Sequence, residues 1–92
     1  NPKLRDPQLA IVHAQKACEL TDWQDWSHLS TLAASYAEAG DFVNAGKWLR
    51  KSQSLAPAEQ KTQLQQLVKV YEAEVVKQRT ARQTPSRQPT RL

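Results

Sequence analysis

The 92-residue chain has no methionine, one cysteine and two glycines. Its single cysteine, Cys18, excludes a disulfide framework or a thiolate metal cluster within one chain. No apolar run approaches the roughly 18 residues that a membrane-spanning helix needs, and the N-terminus lacks the basic-then-apolar layout of a signal peptide. We therefore expect a cytoplasmic protein without a membrane span. Because Asn1 cannot be a translational start, we also expect the chain to be part of a larger protein.

Positive charge is concentrated at the C-terminal end. The chain has 13 Lys and Arg against 9 Asp and Glu, for a net charge of +4. Residues 77–92 contain basic but no acidic side chains, whereas residues 1–76 are close to neutral. Two prolines and no apolar side chain occur over residues 84–91, which cannot bury enough surface to offset the loss of chain entropy. We expect a folded domain over residues 1–79 and a flexible basic tail over residues 80–92.

The apolar residues recur at spacings of three and four and do not alternate with period two. This pattern excludes strands and predicts an all-α fold of four amphipathic helices. We expect Trp23 and Trp26 to pack at the corner between the first two helices. We expect Trp48, in the third helix, to have a packing role as well. The predicted buried stripes are Leu9, Val12, Ala14, Ala17 and Leu20; Leu29, Leu32, Ala33, Tyr36 and Ala37; Phe42, Ala45, Trp48, Leu49, Ser52 and Leu55; and Leu64, Leu67, Val68, Tyr71 and Val75.

Residues typical of helix ends separate these stripes. Asp6 precedes Pro7, a cap followed by proline at the first helical position. Asp25 is placed to cap a helix that begins at Trp26. Gly40 supplies a left-handed stop, Asp41 next to it is placed to cap the third helix, and Pro57 ends that helix. The connections are only two to five residues long, so neighbouring helices should be antiparallel.

When the sequence is compared with a copy of itself displaced by 35 residues, identical residues coincide at several positions. The matched pairs are Asp6 with Asp41, Ala10 with Ala45, Lys16 with Lys51, Leu20 with Leu55, Leu29 with Leu64, Leu32 with Leu67 and Tyr36 with Tyr71. A helix pair that repeats with a period near 34 is typical of tetratricopeptide arrays. The first and third helices are therefore equivalent, as are the second and fourth.

The central unit resembles the tetratricopeptide repeat family in detail. The matching positions, in order, are Leu29, Leu32, Ala33, Tyr36, Gly40, Asp41, Phe42, Ala45, Leu49, Ser52, Leu55 and Pro57. Ala33, Leu49 and Ser52 depart from the family's glycine, aromatic and alanine, but they remain compatible with close helix packing. The resemblance implies a right-handed solenoid fragment with one full repeat at about 26–59, flanked by two half-repeats.

Residues that could carry catalysis are scattered. His13 and His28 lie on different helices without a partner at triad or metal-ligand spacing. Cys18 aligns with Gln53 and is expected to be a partly exposed, inert thiol. Gly40 and Gly46 do not form a phosphate-binding loop. We therefore expect no enzyme activity, no small-molecule substrate, no cofactor and no metal.

The family resemblance further implies a groove lined by the first helix of each pair, which receives a peptide or a helix of a partner protein. The groove residues predicted on this basis are Ser27, Ser30, Thr31, Ala34 and Glu38 on the second helix, and Gln65, Lys69 and Glu72 on the fourth. Only Lys69 fits the clamp that grips chaperone C-termini in this family, so we do not expect that ligand. Hydroxyl and alanine side chains instead favour close approach of a backbone or a helix.

The resulting hypothesis is a non-catalytic interaction or scaffolding module, of the kind that follows larger domains in bacterial multidomain proteins. Three alternatives remain open. The array could pack against its parent protein, or it could self-assemble through an apolar edge of the first helix. The basic tail could also bind nucleic acid or an anionic surface. Its arginines are widely spaced and have no interleaved aromatics, so nucleic acid is not the expected partner.

Overall fold

The computed structural model describes residues 6–87, with side chains up to residue 81. It contains four helices, α1 (Pro7–Leu20), α2 (Trp26–Glu38), α3 (Phe42–Leu55) and α4 (Ala58–Arg87). No strand occurs between residues 6 and 87. Each helix packs against the next one in the chain. The predicted all-α fold of four helices is confirmed, whereas the handedness of the predicted solenoid and its division into repeats stay predictions.

An aspartate caps each of the first three helices. The Asp6 carboxylate accepts a hydrogen bond from the backbone N–H of Gln8 at 3.0 Å, and Asp25 accepts one from Ser27 at 3.0 Å. Asp41 caps α3 in the same way. These bonds satisfy N–H groups that have no partner within the first turn of a helix. The caps predicted at Asp6, Asp25 and Asp41 are confirmed.

The end of α2 is a tight turn that requires glycine. Gly40 has a φ of +83°, in the left-handed region that residues with a side chain rarely adopt. The backbone N–H of Asp41 then donates to the carbonyl of Tyr36 at 2.9 Å, which satisfies a carbonyl at the end of the helix. Because this turn reverses the chain within residues 39–41, α3 returns directly along α2.

The connection between α1 and α2 is held by an aromatic stack. Asp22 and Trp23 both have positive φ, at 58° and 60°, which costs roughly 1–2 kcal/mol for a residue with a side chain. The N–H of Trp23 donates to the carbonyl of Cys18 at 2.8 Å. Its ring stacks on Trp48 of α3, with centroids 5.1 Å apart. The stack offsets part of the backbone strain and confirms the predicted packing role of Trp23 and Trp48.

Two apolar clusters form the core. The first joins α1 to α2 and consists of Ile11, Ala14, Cys18, Leu29 and Leu32. The second joins α2, α3 and α4 and consists of Ala33, Ala45, Leu49, Ala56, Leu64, Val68 and Tyr71. Tyr36 and Trp48 pack against both clusters. The core is therefore continuous from α1 to α4 even though each helix packs mainly on its neighbours in the chain.

Small residues let α3 approach α2 closely. Ser52 is fully buried, and its hydroxyl donates to the carbonyl of Trp26 at 2.7 Å. A buried hydroxyl without a partner would destabilise the fold, whereas this bond makes a direct link between two helices. Ala45 on the same helix is also fully buried. The close helix packing expected at Ser52 from the family resemblance is confirmed.

The predicted buried stripe of α1 was wrong at its three largest residues. Leu9, Val12 and Leu20 are 51%, 57% and 77% exposed. The buried face instead contains Ile11 and Cys18, the latter with no exposed surface, so the expectation of a partly exposed thiol was also wrong. Residues two apart on a helix lie about 200° apart. The two stripes are thus on opposite sides of α1, and α2 covers only one of them.

Helix α4 continues to Arg87, past the predicted start of the tail at residue 80. Residues 80–84 contain no glycine or proline, so the helix propagates through them at little cost in free energy. Residues 1–5 and 88–92 lie outside the described part of the chain. The flexibility predicted for the tail therefore stays a prediction, as does its binding to an anionic surface.

Candidate functional site

A groove of about 290 Å³ runs between α3 and α4. Its walls come from the first half of α3 and from the part of α4 that lies beside it. The lining residues are Phe42, Val43, Gly46 and Arg50 from α3, and Glu72, Val75, Val76 and Arg79 from α4. We call this surface the α3–α4 groove. It combines an apolar lining with charged groups on both helices.

Two valines present apolar surface in the groove. Val43 and Val76 are 61% and 58% exposed. Beside them, the ring of Phe42 packs on the ring of Tyr71, with centroids 5.8 Å apart, and this contact holds the two helices together. Burial raises the pKa of the Tyr71 phenol, so that side chain stays protonated at neutral pH. The groove thus combines a packed pair of aromatic rings, Phe42 and Tyr71, with two valines that are exposed to solvent.

Gly46 makes the groove deeper than another residue would. It is buried within α3, and a Cβ built at this position would lie 3.5 Å from Nη1 of Arg50, at an ordinary contact distance. Glycine in the middle of a helix costs about 0.5–1 kcal/mol relative to alanine. Because alanine would fit without a clash, intramolecular packing does not account for the glycine. A glycine at this place would let another backbone approach α3 closely.

Polar side chains bridge the two helices along one side of the groove. Nη1 of Arg50 lies 3.0 Å from Oε2 of Glu72, and both side chains are about half exposed. One turn further along α3, Nε2 of Gln53 donates to Oε1 of Gln65 at 2.8 Å. An exposed ion pair of this kind contributes at most about 1 kcal/mol. The guanidinium group of Arg79 forms no hydrogen bond or ion pair with another side chain or backbone group of residues 6–81. Its charge is therefore available to a ligand.

The eight predicted groove residues are distributed over more than one surface. Ser27, Thr31, Ala34 and Glu38 are exposed along α2, and Ser30 is half-buried. The hydroxyl of Ser27 donates to Asp25 at 2.7 Å, and that of Thr31 donates to the carbonyl of Ser27 at 3.0 Å. These two donors are therefore occupied within α2.

On α4, Gln65 and Glu72 turn towards α3, where they meet Gln53 and Arg50. Lys69 is exposed and forms no ion pair with a described residue. Of the eight predicted residues, Glu72 alone lines the α3–α4 groove.

The sequence prediction missed Val43, Gly46 and Val76, which line the groove. The sequence did contain a signal for the two valines. They are apolar residues of α3 and α4 that lie outside the predicted buried stripes.

A second exposed apolar surface lies on α1. Leu9, Val12 and Leu20 project away from α2, on the side opposite Ile11 and Cys18. We call the exposed side of α1, made of Leu9, Val12, His13, Lys16, Glu19 and Leu20, the α1 outer face. A shallow concavity of about 350 Å³ lies beside Val12 and His13 on this face. Three large apolar side chains are thus left in solvent on one helix.

Burial and hydrogen bonding shift the pKa values of Cys18 and Asp25. Burial raises the pKa of the Cys18 thiol, and the charge of Asp25 adds to this rise, so the reactive thiolate is disfavoured. A hydrogen bond from the Ser27 hydroxyl and another from its backbone N–H lower the pKa of Asp25. Among the described residues, no three His, Cys, Asp or Glu side chains are placed to hold a metal ion. The predicted absence of catalysis stays a prediction.

Comparisons with known proteins add no family assignment. No family model, no curated protein and no solved structure matches the chain. The tetratricopeptide resemblance therefore stays a prediction, as do the bacterial origin and the cytoplasmic location. None of the helices within residues 6–87 has the length and apolar character needed to cross a bilayer.

Proposed function

We propose that this chain is a non-catalytic interaction module that receives a helical segment of a partner protein in the α3–α4 groove. The observation that carries this proposal is the exposure of Val43 and Val76, at 61% and 58%, in a groove that Gly46 also lines. Apolar surface of this kind becomes favourable when a partner removes it from water. An amphipathic helix that places its apolar face in a groove is a common mode of recognition.

The packing of α3 on the first helix pair supports a helix as the ligand. Trp48 of α3 lies against the cluster formed by α1 and α2, and Nε2 of Gln15 on α1 donates to the Tyr36 hydroxyl of α2 at 3.3 Å. Trp48 thus places one side chain of a third helix against the first pair, with its ring stacked on that of Trp23. The second pair, α3 and α4, has a groove at its surface instead. Within the chain, a helix pair is thus already contacted by a further helix, which favours a helix as the ligand of the groove.

The charges around the groove favour a partner helix with acidic residues beside its apolar stripe. Arg50 and Arg79 are basic, and Glu72 alone is acidic among the lining residues. Because Glu72 already pairs with Arg50, the net positive charge is centred on Arg79. Complementary charge at the edge of an interface mainly raises the association rate and sets the orientation of the ligand. We therefore expect ligand binding to weaken as the salt concentration rises.

Selection of peptides on the wild-type chain tests this proposal. A display library of amphipathic helices is panned on the chain, and the selected peptides are measured by fluorescence anisotropy. Val76→Glu should raise the Kd at least about tenfold, because it places a charge in the apolar contact. Val70→Glu is the matched control, since Val70 is 52% exposed on the same helix and does not line the groove.

The opposite result would move the site to the surface predicted from the family resemblance. In that case Lys69→Glu and Thr31→Arg would abolish peptide binding, while Val76→Glu would leave it unchanged. Gly46→Ala gives a further check that does not depend on charge. It should preserve the fold, because its Cβ has space, and it should weaken binding by adding a methyl group to the lining of the groove.

A further inference from the structure

We infer that the α3–α4 groove recognises one carboxylate of its helical ligand, and that Arg79 binds this carboxylate at one end of the groove. The ligand is then an amphipathic helix with an acidic residue at one end of its apolar stripe. This inference rests on the proposed function, since it requires the groove to accept a helix. It adds the residue that recognises the charge of the ligand and the place where that charge must lie.

Contacts between α3 and α4 place Arg79 at the end of the groove where α3 begins. Nε2 of Gln78 donates to the carbonyl of Gly40 at 3.1 Å, and Gly40 lies just before α3 in the chain. Arg79 is the next residue of α4 and lines the groove. Glu72 lies seven positions earlier, about 10 Å away along the helix axis. The two charged residues that α4 contributes to the groove are therefore well separated.

Arg50, the other basic residue of the groove, already has an anionic partner. Its Nη1 lies 3.0 Å from Oε2 of Glu72. The same nitrogen lies 3.5 Å from the place that a Cβ on Gly46 would occupy, so the guanidinium is held beside α3. A ligand carboxylate in this part of the groove would have to compete with Glu72 for Arg50. This part of the groove therefore favours an uncharged stretch of ligand.

Arg79 has no such partner among the described residues. Asp41, at the start of α3, is engaged by Asn44, whose backbone N–H and side-chain amide donate to its carboxylate at 3.1 and 2.7 Å. Glu74 pairs with Lys77 at 3.2 Å. The sequence contains no Asp or Glu after Glu74. Within residues 6–81, Arg79 is thus the positive charge of the groove that no carboxylate neutralises.

The distance between Arg79 and the apolar lining defines the ligand. Val76 precedes Arg79 by three positions, which is about one helical turn, and Val76 is the exposed apolar residue of α4 in the groove. A helix that lays its apolar stripe on Val76 therefore brings the residue one turn beyond the stripe close to Arg79. A guanidinium group matches a carboxylate with paired N–H donors. An acidic residue at that place is the expected contact.

Panning of the helix library on variants of the full chain tests the position of the charge. Peptides selected on the wild-type chain should have Asp or Glu at one end of the apolar stripe. Peptides selected on Arg79→Glu should have Lys or Arg there instead, because the charge that they meet is reversed. The same selected sequences from both chains would overturn the inference.

Fluorescence anisotropy with one selected acidic peptide measures the size of the effect. Arg79→Gln should raise the Kd roughly threefold to fivefold, as expected for a partly exposed ion pair, and the Kd should depend less on salt. Arg50→Gln should have a smaller effect. Lys77→Gln is the matched control, since it removes the same charge from an exposed residue of α4 that does not line the groove. It should change the Kd by less than about twofold.

A double-mutant cycle then assigns the contact to one pair of residues. Replacement of the acidic residue of the peptide by Gln should weaken binding to the wild-type chain, and it should have little further effect on Arg79→Gln. Fully additive losses, or equal losses in Arg79→Gln and Lys77→Gln, would overturn the inference. The proposed function would still stand if Val76→Glu weakens binding, and it fails separately if Val76→Glu does not. Circular dichroism confirms that each variant is folded.

Discussion

Replacement of Leu32 of α2 by alanine, compared with the same replacement of Leu20 of α1, tests which face of α1 is packed. Leu32 has no exposed surface and lies in the cluster that joins α1 to α2. Deletion of a fully buried leucine side chain costs about 2–5 kcal/mol, which includes the cavity that remains. In a domain of this size, 1 kcal/mol corresponds to about 4–8 °C in Tm. We therefore expect Leu32→Ala to lower the Tm by at least about 8 °C.

The matched control is the same substitution at Leu20, on the exposed side of α1. Leu20 is 77% exposed, so Leu20→Ala should change the free energy of unfolding by less than about 0.5 kcal/mol. Both variants are followed by circular dichroism during heating and during urea titration, at low protein concentration so that association between copies does not contribute. Equal losses of stability in the two variants would refute the reasoning, because α1 would then be packed through Leu20 as well.

Two further predictions concern titratable groups. Cys18 is fully buried, so its reaction with Ellman's reagent should be at least about tenfold slower in the folded protein than in urea; equal rates would contradict the burial. The pKa of Asp25 is lowered from its ordinary value of 3.8, so its contribution to stability is present above that value and is lost as the pH falls further. Urea midpoints measured at a series of pH values should show this loss of stability at low pH. The loss should be smaller in the Asp25→Asn variant, because that side chain has no carboxylate to protonate.

Local structure was predictable from the sequence because it depends on residues close together in the chain. Asp6, Asp25 and Asp41 cap helices, since each provides a carboxylate next to backbone N–H groups without partners. Gly40 ends α2 because it adopts positive φ at little cost. These interactions involve neighbouring residues, so the spacing of residue types was sufficient to predict them.

The buried face of α1 was not predictable in the same way. Both Leu9 and Ile11 are apolar, and they lie on opposite sides of the helix. A helix with apolar residues on two sides satisfies the amphipathic pattern in either orientation. The buried side of α1 is the one that contacts α2, where Leu29 and Leu32 pack against Ile11, Ala14 and Cys18. Hydrophobic periodicity does not contain that information.

The candidate site likewise depends on contacts between distant parts of the chain. The family resemblance predicts residues on α2 and α4, whereas the observed groove joins α3 to α4 through Arg50 and Glu72. Val43 and Val76 both line that groove although 33 positions separate them in the sequence. Their position depends on how α4 crosses α3.

The sequence by itself determined the number of helices, their capped ends and the short turns between them, because these features arise from backbone hydrogen bonds and local φ preferences. The tertiary structure alone decided which apolar residues of α1 were buried and which remained in solvent. Leu20 and Cys18 show the difference, since one is 77% exposed and the other has no exposed surface, although they are two residues apart. The physical reason is that burial depends on which surface of a neighbouring helix comes into contact, and local residue spacing does not specify that surface.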